Sequence, residues 1–331
     1  MKIDVFNHVF PVEFFQAVDG LMPDAAVKRW KSLKTIFDMD ARLRMMDEFD
    51  DYQQIISMSQ PPTDAIAGPS ESPALTRIAN DGMARICREH PDRMPWFIAS
   101  LPMNNTQASL AEVDRVVDEL GAVGFQLFTN VNNKALDQPE FRDIFAKIAE
   151  RGKIIWLHPT RPATHPDYLT EDRSFYEIFW GFGWAYETSA AMARIVCSGM
   201  FDEIPDLKII AHHWGAYAPH AEGRFTPAWE NRNAVMGDEQ GFAGKLKKPL
   251  IDYFKKDFYG DTAMFGAQAA SQAGLDFFGA DHSVFATDAP YDHEGGAYNI
   301  RSTLEVMNNL RCSDEDRQMM FEDNARRLFG I

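Results

Sequence analysis

The chain has 331 residues, of which 45% are hydrophobic; that is enough to bury a large core, and no low-complexity stretch divides it, so one domain over residues 1–331 is expected. Its 33 basic and 49 acidic residues give a formal charge of -16, which opposes attraction to nucleic-acid backbones and anionic lipid and excludes both as expected partners. The opening MKIDVFNHVFP has no long apolar core after its lysine, and no stretch has the roughly 18 consecutive apolar residues of a membrane-spanning helix, so a soluble cytoplasmic protein is expected.

In chain order, short β-branched or aromatic runs alternate with segments of helical periodicity, the pattern of a parallel α/β fold. Eight strands are expected, at Lys2–Phe6, Gln53–Met58, Trp96–Leu101, Gly124–Phe128, Lys153–Leu157, Lys208–Ala211, Asp257–Gly260 and Ser283–Ala286. Eight such units close a (β/α)8 TIM barrel. Between strands, Thr106 is placed to cap a helix whose Leu110, Val113, Val117 and Leu120 form one stripe, ended by Gly121. Asp137 repeats the arrangement ahead of Pro139, Phe141, Ile144, Phe145 and Ile148, with Gly152 as the stop. A last helix begins near Ser313. The stretches Val9–Asp50 and Thr160–Asp206 exceed a minimal connection, which predicts long loops after strands 1 and 5 that shape a pocket. Cys87, Cys197 and Cys312 are odd in number and far apart, which fits reduced structural thiols.

His8, His158, His212, His213 and Asp288 all fall at the carboxyl ends of expected strands. A closed parallel barrel turns those ends to one rim, where this fold carries its chemistry. Imidazoles with a carboxylate suit one divalent transition-metal ion, zinc or manganese, and lack the oxygen-rich cage that calcium takes. Two imidazoles and one carboxylate leave positions open for water and substrate, as a catalytic site requires.

The ordered series MKIDVFNH, GFQLFTNVNNKALDQPEF, IIWLHPTRP, KIIAHHWGAYAPHAEGR, VFATDAP and DNARRLFG resembles the amidohydrolase-related family that includes aminocarboxymuconate semialdehyde, γ-resorcylate and 5-carboxyvanillate decarboxylases. The resemblance spans nearly the whole chain. It implies that His8, His158 and Asp288 are metal ligands, that Asp288 also shuttles a proton, and that His213 is the catalytic histidine. His213 is preferred to His212 by its spacing to Pro219 and Arg224; His212 is then a packing residue or one that supports the site from behind. Arg224 resembles the arginine that grips the substrate carboxylate, in some relatives from the neighbouring subunit, which implies a homodimer or homotetramer. One position departs from the family: relatives begin His-x-His or Glu-x-His, and here Phe6 stands where the first ligand belongs. Asp4 alternates onto the face of Phe6 and His8 but lies one pleat deeper, as a buried hydrogen-bonding residue.

Two reactions suit such a site. The first is non-oxidative decarboxylation of an aromatic or unsaturated hydroxy-carboxylic acid, with Arg224 orienting the acid and Asp288 or His213 protonating carbon. The second is hydrolysis or hydration of a related ring-derived or lactone substrate by metal-bound water. A barrel that only binds a small acid is the non-enzymatic alternative, prompted by Phe6. The aromatic stretch Phe175–Tyr186 is read either as pocket wall or as a buried helix face, and Asp261 and Thr262 as supporting hydrogen-bond partners.

Overall fold

The computed structural model describes residues 1–18, 20–22, 24–236 and 246–331. Eight parallel strands follow one another around a nearly closed barrel in sequence order. They are β1 (Lys2–Asp4), β2 (Tyr52–Met58), β3 (Trp96–Ser100), β4 (Gly124–Phe128), β5 (Ile154–His158), β6 (Ile209–Ala211), β7 (Phe258–Asp261) and β8 (Ser283–Val284). The expected (β/α)8 TIM barrel is therefore present, with strand boundaries shifted by at most two residues. The three cysteines are free thiols. Among the described residues no helix is long and apolar enough to cross a membrane.

Two apolar layers hold the barrel. Inside it, Ile3, Val5, Phe6, Ile55, Ile98, Trp156, Ile210 and Val284 pack together, and Leu328 and Phe329 of the last helix join the same cluster. Phe329 stacks on Trp156 with ring centroids 4.8 Å apart, so the chain's terminal helix plugs the barrel interior. Outside it, a larger cluster joins the outward strand faces to the helices. β-Branched runs read as strands here because both of their faces are buried.

The helices match expectation in place more than in capping. Asn105, not Thr106, caps the helix Thr106–Arg115 by accepting from Ala108 N at 3.0 Å; Thr106 Oγ1 instead donates to Glu140 O. A π turn over Val116–Leu120 follows, and Gly121 ends it with φ +75°. Gln138 precedes the helix Pro139–Glu150, while Asp137 pairs with Arg194 at 2.8 Å and caps nothing. Both misplacements have one cause: Thr106 and Asp137 each have a partner outside their own helix, and spacing alone does not show that competition. Ser313 does begin the last helical segment, with a complete capping box to Asp316. The loop after strand 1 carries helices Val12–Ala17, Asp24–Ser32 and Met39–Met46, and the loop after strand 5 carries the short helices Ile178–Gly181 and Met200–Glu203 on either side of the barrel helix Gly183–Cys197.

A carboxylate closes the seam between the first and last strands. Asp4 accepts from Phe6 N (3.2 Å), Thr287 N (3.1 Å), Thr287 Oγ1 (2.6 Å) and Tyr52 OH (2.5 Å). Its bond to Phe6 N turns the chain out of the regular strand, so Phe6 packs with Ile3 and Val5 rather than sharing the face of Asp4. Beyond the turn, Val5 N donates to Phe285 O, Asp288 N to Phe6 O and His8 N to Ala289 O, at 2.7–3.0 Å. Replacing Asp4 by Ala strands two hydroxyls and two backbone amides, which should cost about 3–5 kcal/mol. Urea unfolding would measure it; an unchanged midpoint would show that the seam does not depend on this carboxylate.

Candidate functional site

The strand ends gather the expected residues on one rim. His8 lies on a two-residue strand, His8–Val9, that pairs with the end of β2; His158 is the last residue of β5; His212 and His213 follow β6; Asp288 lies beyond β8. The ring of Phe6 stands among them. It stacks on His212 with centroids 3.3 Å apart and meets His8 at 4.6 Å, His158 at 5.5 Å and His213 at 6.1 Å. His8 and His158 are 5.2 Å apart, and His158 and His212 are 5.7 Å apart. His8, His158 and His212 are buried, and His213 is half-buried.

Each imidazole is tethered through the same nitrogen. His8 Nδ1 donates to Met58 O at 3.1 Å, His158 Nδ1 to Pro159 O at 2.6 Å and His213 Nδ1 to Ala263 O at 2.6 Å. Because a carbonyl only accepts, these contacts put the hydrogen on Nδ1 and leave Nε2 to face the site. His212 Nδ1 meets the carboxylate of Asp261, which also accepts from His213 N and Ala263 N at 3.0 and 3.1 Å. His212 Nε2 is buried and has no hydrogen-bond partner among the described residues. Burial holds His158 and His212 below the usual histidine range; the neighbouring histidines push His158 down further, while Asp261 pulls His212 partly back. Both are therefore neutral at pH 7.

His8 Nε2 lies 3.0 Å from Asp288 Oδ1. Asp288 and His213 both sit in the left-handed backbone region, at φ +59° and +55°. Both residue types enter that region more readily than most, and Asp261 holds the turn by accepting from His213 N.

Supporting residues went unread in the sequence. Arg42 is fully buried and donates to His8 O (2.7 Å), Asn7 Oδ1 (2.6 Å), Gln54 Oε1 (2.7 Å) and Thr35 O (3.2 Å). Burial draws it down to about 10, which leaves it charged at neutral pH. Its helix, MDARLRMM, gives no hint that one arginine points inward. Tyr291, three residues past Asp288, lies 5.7 Å from His8 and bonds Ser59 through its hydroxyl; its place in VFATDAPY was the available signal. Asp261 has the supporting role expected of it. Thr262 instead bridges β7 to β8, donating to Ala286 O and accepting from Ala286 N.

Arg224 is not brought to these residues. It is exposed on the helix Ala218–Met236 and has no hydrogen bond or ion pair among the described residues. The aromatic stretch also differs from expectation: Tyr176, Phe182 and Tyr186 are exposed, while Trp184 is half-buried and lies 6.1 Å from His158. A capping turn that starts at Glu177 with φ +60° breaks the helical face that the spacing suggested.

The amidohydrolase family model matches residues 3–331. The chain belongs to the amidohydrolase family. It is 31% identical over 344 residues to γ-resorcylate decarboxylase of Polaromonas sp. (strain JS666), covering 100% of this chain and 98% of the relative. Among solved structures it resembles 2,6-dihydroxybenzoate decarboxylase complexed with 2,6-dihydroxybenzoate, with a TM-score of 0.79, 27% identity and coverage of 100% and 99%. A dihydroxybenzoic acid decarboxylase of Polaromonas sp. JS666, with bound manganese and the inhibitor 2-nitroresorcinol, matches with a TM-score of 0.79, 27% identity and coverage of 99% and 96%.

The donors of this amidohydrolase fit a divalent ion in kind and orientation. Neutral imidazoles with Nδ1 tied back, and a buried carboxylate supporting one of them, are how proteins aim ligands. They are not yet gathered: among the described residues no three His, Cys, Asp or Glu side chains surround one point as a metal group. His8 and Asp288 are bonded to each other, and Phe6 lies between the rings. The tethering is testable without a metal. Two-bond 15N–1H correlation at pH 7 should show His212 protonated at Nδ1 with a bare Nε2, and Asp261→Asn should mix the tautomers. A wild-type His212 protonated at Nε2 would contradict the arrangement.

Proposed function

We infer that this amidohydrolase is a non-oxidative decarboxylase of a hydroxylated aromatic carboxylic acid, with one divalent ion, zinc or manganese, held by His8, His158 and Asp288 in a single domain over residues 1–331. The observation that carries the reading is the convergence of these residues with His213 on one barrel rim, in a chain that aligns end to end with γ-resorcylate decarboxylase. Held there, the ion supplies positive charge to the acid's carboxylate and the neighbouring oxygen.

The chain's residues account for the rest. Cleavage of the carbon–carboxylate bond releases carbon dioxide and leaves an electron pair on the ring, so the step needs a proton and no oxidant. His213, its Nδ1 fixed on Ala263 O, presents Nε2 to hold and deliver that proton, and Asp288 is the second group able to do so. Phe6, Phe128 and Trp184 surround His158 at ring distances of 4.8–6.1 Å and give a planar substrate an apolar wall that excludes water. Arg224 orients the carboxylate from a neighbouring subunit, and the functional unit is a homodimer or homotetramer. Its exposed position and the exposed rings of Tyr176, Phe182 and Tyr186 support that reading.

Purified protein loaded with Mn2+ should release carbon dioxide from 2,6-dihydroxybenzoate or a related hydroxybenzoate, and chelation should abolish the release. His213→Ala should keep its metal and lose at least about two orders of magnitude in kcat. Asp288→Ala should lose both, and Arg224→Ala should chiefly raise KM. Metal content, turnover and a folding check on each variant test these roles. Undiminished turnover in His213→Ala would remove it from the chemistry.

A further inference from the structure

With Phe6 at the first-strand position, the site proposed above is short of one donor. We propose that His212 Nε2 supplies it, so that in this chain β6 rather than β1 provides the extra metal ligand, beside His8, His158 and Asp288. The inference rests on the metal-dependent reading of the site.

The first argument is an unanswered polar atom. His212 is fully buried, and its Nε2 has no hydrogen-bond partner among the described residues. Buried polar groups in folded proteins are nearly always satisfied, and an exception points to a group that binds there. The second is orientation. A histidine needed only for packing gains nothing from a fully buried carboxylate behind it, yet Asp261 bonds His212 Nδ1 and is itself fixed by two backbone amides. A carboxylate on Nδ1 sets the tautomer and raises the basicity of Nε2, as behind many metal-bound histidines.

The third argument is geometric. The ring of Phe6 lies over the face of His212, tilted by 23°. The lone pair of Nε2 lies in the plane of its own ring, so the stack fixes the imidazole and leaves the donor edge open. An ion bound about 2.1 Å from Nε2 sits about 3.2 Å from the ring centroid, and two such rings at about 90–110° have centroids about 4.6–5.3 Å apart. His8 and His158 stand at 5.2 Å, inside that range, and His158 and His212 at 5.7 Å, within half an ångström of it. Gathering the donors then requires the His8–Asp288 hydrogen bond to open.

The test is Mn2+ binding to the chelator-stripped full chain, followed by the EPR signal of free Mn2+. The proteins compared are wild type, His212→Ala, Phe6→Glu and the double variant. His212→Ala should weaken binding by about tenfold or more, and Phe6→Glu should restore the loss in the double variant by returning a ligand to the first strand. A packing role for His212 would not be rescued in this way. Pulsed EPR on wild-type protein should show Mn2+ coupled to three imidazole nitrogens, and this count decides the matter if His212→Ala does not fold. Mn2+ bound by two imidazoles, or with full affinity in a folded His212→Ala protein, overturns this inference and leaves the metal-dependent reading intact. A wild-type chain that binds no Mn2+ overturns both.

Discussion

The Asp4 carboxylate is the constraint on which the rest of the rim depends. It is wholly buried, and burial pushes it up to about 6 against the hydrogen bonds from Thr287, Tyr52 and Phe6 and the charge of Arg42 that favour the ionised form. Those hydrogen-bond donors come from β2 and from the segments after β1 and β8, so one side chain ties both sides of the barrel seam. Arg42 completes the anchor by holding the carbonyl of His8 and the side chain of Asn7. Two buried charges are an expensive way to gain stability, and apolar residues of the same volume often do as well. What they fix here is position: the bond between Asp288 N and Phe6 O, and with it the approach of His8 to Asp288, follows from the seam being locked in one register.

Above that anchor the electrostatics favour chemistry on an acid. The chain carries a formal charge of -16, which repels an anionic substrate at long range. Local charge must therefore do the recruiting, and His158 and His212, held below the usual histidine range by burial, offer none of their own. A divalent ion held at the rim, as proposed above, would reverse the sign of the field where it matters. Neutrality has a second use. An imidazole that is already deprotonated at Nε2 binds a metal or takes a proton without first losing one.

The fold was legible because its signal is redundant. Eight apolar runs separated by helical periodicity remain recognisable even when each boundary slips by a residue, and a barrel collects the ends of whichever strands it has. His8, His158, His212, His213 and Asp288 were readable for that reason. The choice between His212 and His213 was not, since it depends on Asp261, 49 residues from His212, and on a backbone turn to φ +55° that adjacent histidines do not announce. Arg42 was hidden for a related reason: its partners, Asn7, His8 and Gln54, come from other segments, and a charged residue on a short helix looks like a surface position. Caps failed at Thr106 and Asp137 because each of these side chains had a tertiary partner to compete with its own backbone.

Phe6 links the apolar core to the site more directly than a ligand would. It belongs to the cluster of Ile3, Val5, Ile98, Trp156 and Ile210 that fills the barrel, and its ring also touches His8, His158, His212 and His213. The core therefore extends to the donors without an intervening polar layer. A carboxylate or imidazole at position 6 would add a donor but would end the core one residue lower and admit water beside His212. With phenylalanine there, the surroundings of the imidazoles stay apolar, which strengthens every charge interaction made at the rim and raises the cost of leaving His212 Nε2 unsatisfied. The residue that removes a ligand from the first strand thus also creates the condition under which a buried nitrogen on the sixth has most to gain from binding a cation.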